Sequence, residues 1–273
     1  MSAPAEQAAI PRLGLGTYGR TGEAGEASIL DALELGYRHL DTAQTYDTEA
    51  AVGRAVERSG IARDEIFITT KVGDINLGHD RFMPSLRESL DNLRVDRIDL
   101  TLIHWPSAKD AVPFRDYMQA LARAQADGMT RLIGVSNFPI ALLRKAEDLL
   151  GPGAIVNNQV ELHPYFQNRK LRGWCREHGV SVTAYMPLAK GRVASDPVLQ
   201  RLAARHGATP AQVALAFLLQ QDIIVIPASS SRENLRANLA ALALSLPPAD
   251  MAEIEALDRG ERMIDPEKAP VWD

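Results

Sequence analysis

A chain of 273 residues, 46% hydrophobic and 24% charged, has the make-up of a globular protein with material for one large domain or two small ones, which excludes an intrinsically disordered polypeptide. Its 30 Lys and Arg against 35 Asp and Glu give a net charge of -5, so there is no overall basic field for nucleic acid or an anionic membrane, and a small-molecule partner is expected. The single cysteine, Cys175, excludes an intramolecular disulfide and suits a reducing compartment.

The chain opens with "MSAPAEQAAIPRLG", which has neither a cationic start nor an apolar core segment. It reads as neither signal peptide nor anchor, and a cytoplasmic protein without membrane association is expected. From there short apolar runs alternate with longer stretches of helical spacing. The runs are "LGLGT" at 13–17, "RHLD" ending at 41, "IFITTK" at 71, "IDLTLIH" at 104, "TRLIGVS" at 136, "IVNNQVE" at 161, "SVTAY" at 185 and "IIVIPAS" at 229. Between them, "EAAVGRAVERSG" places Ala51, Val52, Ala55 and Val56 on one helical face with Gly60 as terminator, and "FRDYMQALARAQADG" ends at Gly128. Cys175 in "LRGWCREHG" reads as a half-buried helix residue, not a nucleophile. The longer gap before the last run has room for two helices starting near Pro197 and Pro210. Eight strand–helix units predict a (β/α)₈ TIM barrel forming a single domain over residues 1–273, with its site at the carboxyl ends of the strands. Gly14, Gly16 and Gly19 in "GLGTYG", followed by Asp41, also satisfy the spacing of a dinucleotide-binding fingerprint. The preceding run is broken by Pro11 and Arg12 and no helix follows the last glycine, so a glycine-rich first barrel strand is the better reading.

Strand-end convergence brings Asp41, Lys71 and His104 together, with Tyr46 just beyond the second strand and Trp105 after the fourth. A lysine in a barrel mouth needs a counter-charge, and Asp41 on the neighbouring strand supplies it. A cation beside a phenol favours phenolate, so Lys71 is expected to bring Tyr46 down toward useful acidity. Tyr46 would then serve as general acid. The six histidines show no paired spacing with a third ligand nearby, and no metal is expected.

The stretches "GYRHLDTAQTYDTEAAVGRA", "IDLTLIHWP" and "IPASSSRENLRAN" resemble the aldo-keto reductase superfamily, from about residue 10 to the carboxyl terminus. The resemblance implies a cytoplasmic, monomeric barrel that reduces aldehydes or ketones with NADPH, with Tyr46, Asp41, Lys71 and His104 as the catalytic set. It assigns Ser136, Asn137 and Gln159 to the nicotinamide carboxamide and Tyr185 to stacking on its ring, with Thr17, Tyr18, Asp41 and Asn238 also on the cofactor. Glu161 and His163 are read as supporting residues. The substrate pocket would be walled by Tyr18, Tyr46, His104, Trp105 and Trp272 under two short lids, "HWPSAKDAVPF" and "MIDPEKAPVWD". An open mouth of that kind suits small polar carbonyls such as 2-oxoaldehydes and keto-sugar acids. Where many relatives carry Ile-Pro-Lys-Ser this chain has Ala228 in place of the lysine, and Asn234 stands at a family arginine position. Ser229, Ser230 and Arg232 at a helix start are left to hold the 2′-phosphate. The alternative from another class is a nucleotide-sensing, poorly catalytic barrel bound to a partner protein.

Overall fold

The computed structural model describes residues 10–273, so most of the amino-terminal segment read above as neither signal nor anchor lies outside the described residues. In chain order the elements are β1 (Leu15–Gly16), α1 (Gly22–Leu35), β2 (His39–Asp41), α2 (Glu49–Ser59), β3 (Phe67–Val72), α3 (His79–Leu93), β4 (Ile98–Ile103), α4 (Phe114–Ala126) and β5 (Thr130–Ser136). There follow α5 (Ile140–Leu150), β6 (Asn157–Glu161), α6 (Arg169–Glu177), β7 (Ser181–Tyr185), α7 (Pro197–His206), α8 (Pro210–Leu219), β8 (Ile223–Val225), α9 (Arg232–Ala240) and α10 (Pro248–Glu255). The eight strands are parallel and lie side by side in sequence order. The ring closes where Leu13 bridges Val225 in parallel and the Gly14 amide donates to the Val225 carbonyl at 2.9 Å. This is the (β/α)₈ barrel that strand–helix alternation implies.

Local chemistry explains the element limits. Ala51, Val52, Ala55 and Val56 are all buried on α2, and Gly60 ends it in the left-handed region at φ +67°. Gly128 turns the chain after α4 at φ +78°. Pro197 and Pro210 open the two helices before β8, Asp196 caps the first of them, and Thr209 with Gln212 forms a capping box on the second. β8 stops at Val225, short of the expected 229, because Pro227 has no N–H for the ladder. Gly14 and Gly16 have a structural use: a Cβ on Gly14 would stand 2.7 Å from the His39 ring, and one on Gly16 would stand 2.9 Å from the Ile226 carbonyl oxygen. The first strand is squeezed between β2 and β8 and tolerates only glycine at those points, as the glycine-rich first barrel strand read above requires, although a helix does follow the last glycine: α1 begins at Gly22. Cys175, expected half buried, is fully buried within α6, and burial pushes its thiol up to about 12.

Most buried apolar side chains fill the layer between strands and helices. A smaller cluster of Phe67, Leu100, Leu102 and Leu132, with Ile10 and Val156 packed on it, is separate from that layer. Phe67 opens β3, Leu100 and Leu132 lie midway along β4 and β5, and Leu102 stands opposite Lys71 in the ladder, while the polar strand ends gather at the carboxyl mouth.

Candidate active site

Asp41 closes β2, Lys71 is the penultimate residue of β3, and His104 follows β4 directly. Tyr46 ends a short helical turn, Gln44–Tyr46, between β2 and α2. Lys71 has no exposed side-chain surface; its ammonium donates to Asp41 Oδ1 and, at 2.9 Å, to the Thr42 carbonyl. The other oxygen of Asp41 accepts from the Gln159 amide at 2.6 Å. Lys71 Nζ lies 4.9 Å from the centre of the Tyr46 ring. The Tyr46 hydroxyl lies 3.4 Å from His104 Nε2, and the two rings meet edge to face. Asn137 fixes the backbone at this point by donating to the His104 carbonyl at 3.1 Å.

Electrostatics around these groups differ in one respect from the sequence argument. Burial raises the Tyr46 hydroxyl above its ordinary value of 10.0, and the opposing pull of Lys71 does not overcome it. The expectation that Lys71 brings Tyr46 down toward neutrality is corrected accordingly: Tyr46 is a phenol, protonated through the neutral range. Burial lowers the proton affinity of Lys71, but the Asp41 carboxylate and then the Tyr46 oxygen raise it, and the net shift is upward, so it remains an ammonium. Burial, with Lys71 and Lys268 adding to it, depresses His104 to about 3. His104 is therefore a neutral imidazole at any ordinary pH. The mouth holds a proton donor, a neutral hydrogen-bonding ring and a fixed positive charge, which together can stabilise and protonate an oxygen on which negative charge develops.

Around the mouth, Ser136 donates to the Gln159 carbonyl at 2.8 Å, Asn137 Nδ2 donates to Ser136 Oγ at 3.1 Å, and the Tyr185 hydroxyl donates to Asn137 Oδ1 at 2.9 Å. Asn137 sits in the left-handed region at φ +62°, a strained placement held by these contacts. This belt of amide and hydroxyl groups beside an aromatic ring has the donor and acceptor set that a carboxamide on a flat heterocycle requires. Thr17 is fully buried and its hydroxyl donates to the Asp41 carbonyl at 2.9 Å, while Asn238 is buried on α9 beside Tyr37. At the start of α9, Ser231 caps the helix and its amide donates to Ser229 Oγ at 3.1 Å, while Ser230 is exposed. Arg232 reaches across to α1, where it pairs with Asp31 and, at 2.8 Å, with Glu34.

Tyr18 is 70% exposed and meets Tyr46 edge-on at 5.2 Å. Trp105 is buried and meets Trp272 at 6.2 Å between ring centres. The carboxyl-terminal tail is firmly attached: the Met263 and Ile264 amides donate to the two oxygens of Glu161 at 2.7 and 2.8 Å, and Lys268 pairs with Asp74 at 2.9 Å. Trp272 donates to Asp265 at 2.9 Å, and the Asp273 carboxylate accepts from the Ile140 amide at the start of α5. Glu161 and His163, paired at 3.0 Å, are thus supports of the tail. Among the described residues no three His, Cys, Asp or Glu side chains cluster as a metal site. A depression of about 710 Å³ lies beside α6 and the starts of β7 and β8, away from this set. Sequence reasoning missed Thr45, Gln44 and Asp74. Thr45 adjoins Tyr46 in the motif itself, but nothing in its spacing tells that its hydroxyl lies 3.2 Å from His104 Nδ1.

The model of the Aldo/keto reductase family matches residues 12–259. The chain belongs to that family. This aldo-keto reductase is 51% identical over 266 residues to methylglyoxal reductase DkgB of Escherichia coli O157:H7, covering 97% of this chain and 100% of that protein. It is 41% identical to an aldo-keto reductase of Mycobacterium avium (strain 104), covering 95% of this chain and 90% of that one. Its fold superposes at a TM-score of 0.91 and 42% identity on a crystal structure described as a proposed 2,5-diketo-D-gluconic acid reductase B, over 97% of this chain and 94% of that one. The aldose reductase from Schistosoma japonicum superposes at 0.90 with 31% identity, over 96% of this chain and 95% of that one. The protein is accordingly an oxidoreductase acting on carbonyl groups, in a family that uses nicotinamide cofactors. No helix among the described residues is long and apolar enough to cross a membrane.

Proposed function

We propose that this aldo-keto reductase reduces small polar aldehydes and ketones, 2-oxoaldehydes such as methylglyoxal and keto-sugar acids such as 2,5-diketo-D-gluconate, to alcohols with NADPH. The observation that carries this is the Tyr46 hydroxyl, set between a buried ammonium and a neutral imidazole at the mouth of the barrel. Ser136, Asn137, Gln159 and Tyr185 would hold the nicotinamide, which when bound would supply the hydride. The residues of the chain do the rest: His104 orients the carbonyl oxygen by a neutral hydrogen bond, and Tyr46 gives its proton as negative charge gathers there. Lys71, held charged by Asp41, stabilises the phenolate left behind. A phenol with a raised proton affinity is a weaker acid in the resting protein, and it keeps its proton until the reacting oxygen needs it. Trp105, Trp272 and Tyr18 wall the substrate, which the names of the DkgB and diketogluconate relatives support as small and polar. The reading extends to a monomer acting in the cytoplasm on a small molecule, without nucleic acid, in keeping with the net charge of -5.

Tyr46→Phe tests it. The variant should lose about 10²- to 10⁴-fold in kcat toward methylglyoxal while its affinity for NADPH stays nearly constant. Turnover close to wild type would remove Tyr46 from the reaction.

A further inference from the structure

We infer that Thr45 is a positioning residue that sets the tautomer of His104, and that Gly73 and Gln44 hold it in place to do so. The inference rests on the reading of His104 as the group that orients the carbonyl.

A neutral imidazole carries one proton, on Nδ1 or on Nε2. His104 presents Nε2 to the reacting side, 3.4 Å from the Tyr46 hydroxyl, and presents Nδ1 to Thr45 Oγ1 at 3.2 Å. Only the Nε2–H tautomer can donate to a carbonyl oxygen in the mouth. The Nδ1–H tautomer would leave Nε2 bare, an acceptor competing with the substrate for the Tyr46 proton. A hydroxyl donating to Nδ1 makes that nitrogen the acceptor and puts the ring proton on Nε2.

The surroundings determine where that hydroxyl oxygen sits. Threonine is branched at Cβ, so fixing its methyl fixes the position of its hydroxyl oxygen. A Cβ on Gly73 would stand 2.9 Å from Thr45 Cγ2, so the methyl of Thr45 lies against the place where a side chain on residue 73 would be. The backbone of Gly73, at φ -66°, is open to any residue, and glycine is needed there for this contact, not for its dihedral angles. Gln44, at the start of the same turn, accepts from the Gly73 amide at 2.9 Å and from Asn76 at 2.9 Å, and donates to Ser85 at 3.2 Å and Ser89 at 3.1 Å on α3. The turn that carries Thr45 and Tyr46 is thus tied down on the side away from the mouth.

The test combines nitrogen NMR with kinetics. Long-range proton–nitrogen correlation at neutral pH should show His104 protonated on Nε2 in the wild-type protein. Thr45→Val should lose that preference and lower kcat about three- to tenfold, the effect of one hydrogen bond, with carbonyl KM and cofactor affinity little changed. Thr45→Ser, which keeps the hydroxyl, should restore both. Gly73→Ala should lower kcat in the wild-type background and much less in the T45S background, which lacks the methyl that the new Cβ strikes. A wild-type ring protonated on Nδ1, a T45V variant that keeps the Nε2–H signature whatever its activity, or a T45S variant no better than T45V would overturn the inference. Full activity in His104→Gln would instead remove the carbonyl-orienting role, since the NMR assignment does not depend on turnover.

Discussion

Arg232 illustrates how one residue can be asked to do two things. Its guanidinium is engaged by Asp31 and Glu34 of α1, and these two carboxylates face the place where the reading of this site puts the 2′-phosphate of the cofactor. A phosphate arriving there has to draw Arg232 away from its partners and approach their negative charge, while the bare 2′-hydroxyl of NADH meets no such opposition. With Ala228 in the lysine position, NADPH should be preferred only modestly. Arg232→Ala should weaken NADPH about three- to tenfold without touching NADH, and Asp31→Asn combined with Glu34→Gln should tighten NADPH by a similar factor. Fluorescence titration with each cofactor separates these outcomes, and equal changes for both would show that the phosphate is read elsewhere. At this scale the sequence is legible where a residue's place follows from its strand: Asp41, Lys71 and His104 all occupy carboxyl ends, and their meeting follows from the barrel. It is not legible where depth decides. The proton affinity of Tyr46 depends on how far the ring is buried, and the partners of Arg232 depend on where α9 lies against α1.

Among the elements, the tail after α10 brings Trp272 against Trp105, and Glu161 at the end of β6 is one of its anchors. That carboxylate is fully buried and accepts from two successive tail amides and from His163. Glu161→Gln removes the charge and one acceptor, weakening the anchor by about 1–3 kcal/mol. The expected result is faster hydrogen exchange at Met263 and Ile264 and a higher KM for the carbonyl, with cofactor affinity unchanged, because Trp272 is carried by the loosened segment. An unaltered KM would mean that the tail does not line the substrate. All eight strands were legible as apolar runs bounded by polar residues, and both helices before β8 were legible from their prolines. The tail was not, since "MIDPEKAPVWD" has no period and acquires its path only from Glu161, Asp74 and the start of α5.

For the whole molecule, buried histidine links the site to stability. In the unfolded chain His104 takes a proton near its ordinary value of 6.5, whereas in the folded protein burial holds it to about 3. Between those values the unfolded state binds a proton that the folded state refuses, so the contribution is complete above the upper value and is lost as pH falls toward the lower one. His39, also buried and lowered, acts in the same direction. Urea unfolding should show stability dropping by on the order of a few kcal/mol between neutrality and about pH 4, and His104→Gln should show a shallower drop. An identical slope in the variant would mean that other groups govern the acid transition. The seam between β1 and β8 has a consequence for how the chain reaches this state. Leu13 and Val225 meet from opposite ends of the sequence, so neither edge of the sheet is covered until nearly the whole polypeptide has been made. A nascent chain carrying seven strands exposes two open edges, each a template for pairing with another molecule. Ring closure is therefore the longest-range strand pairing in the sheet, and until the last strand arrives the half-made barrel keeps both edges open.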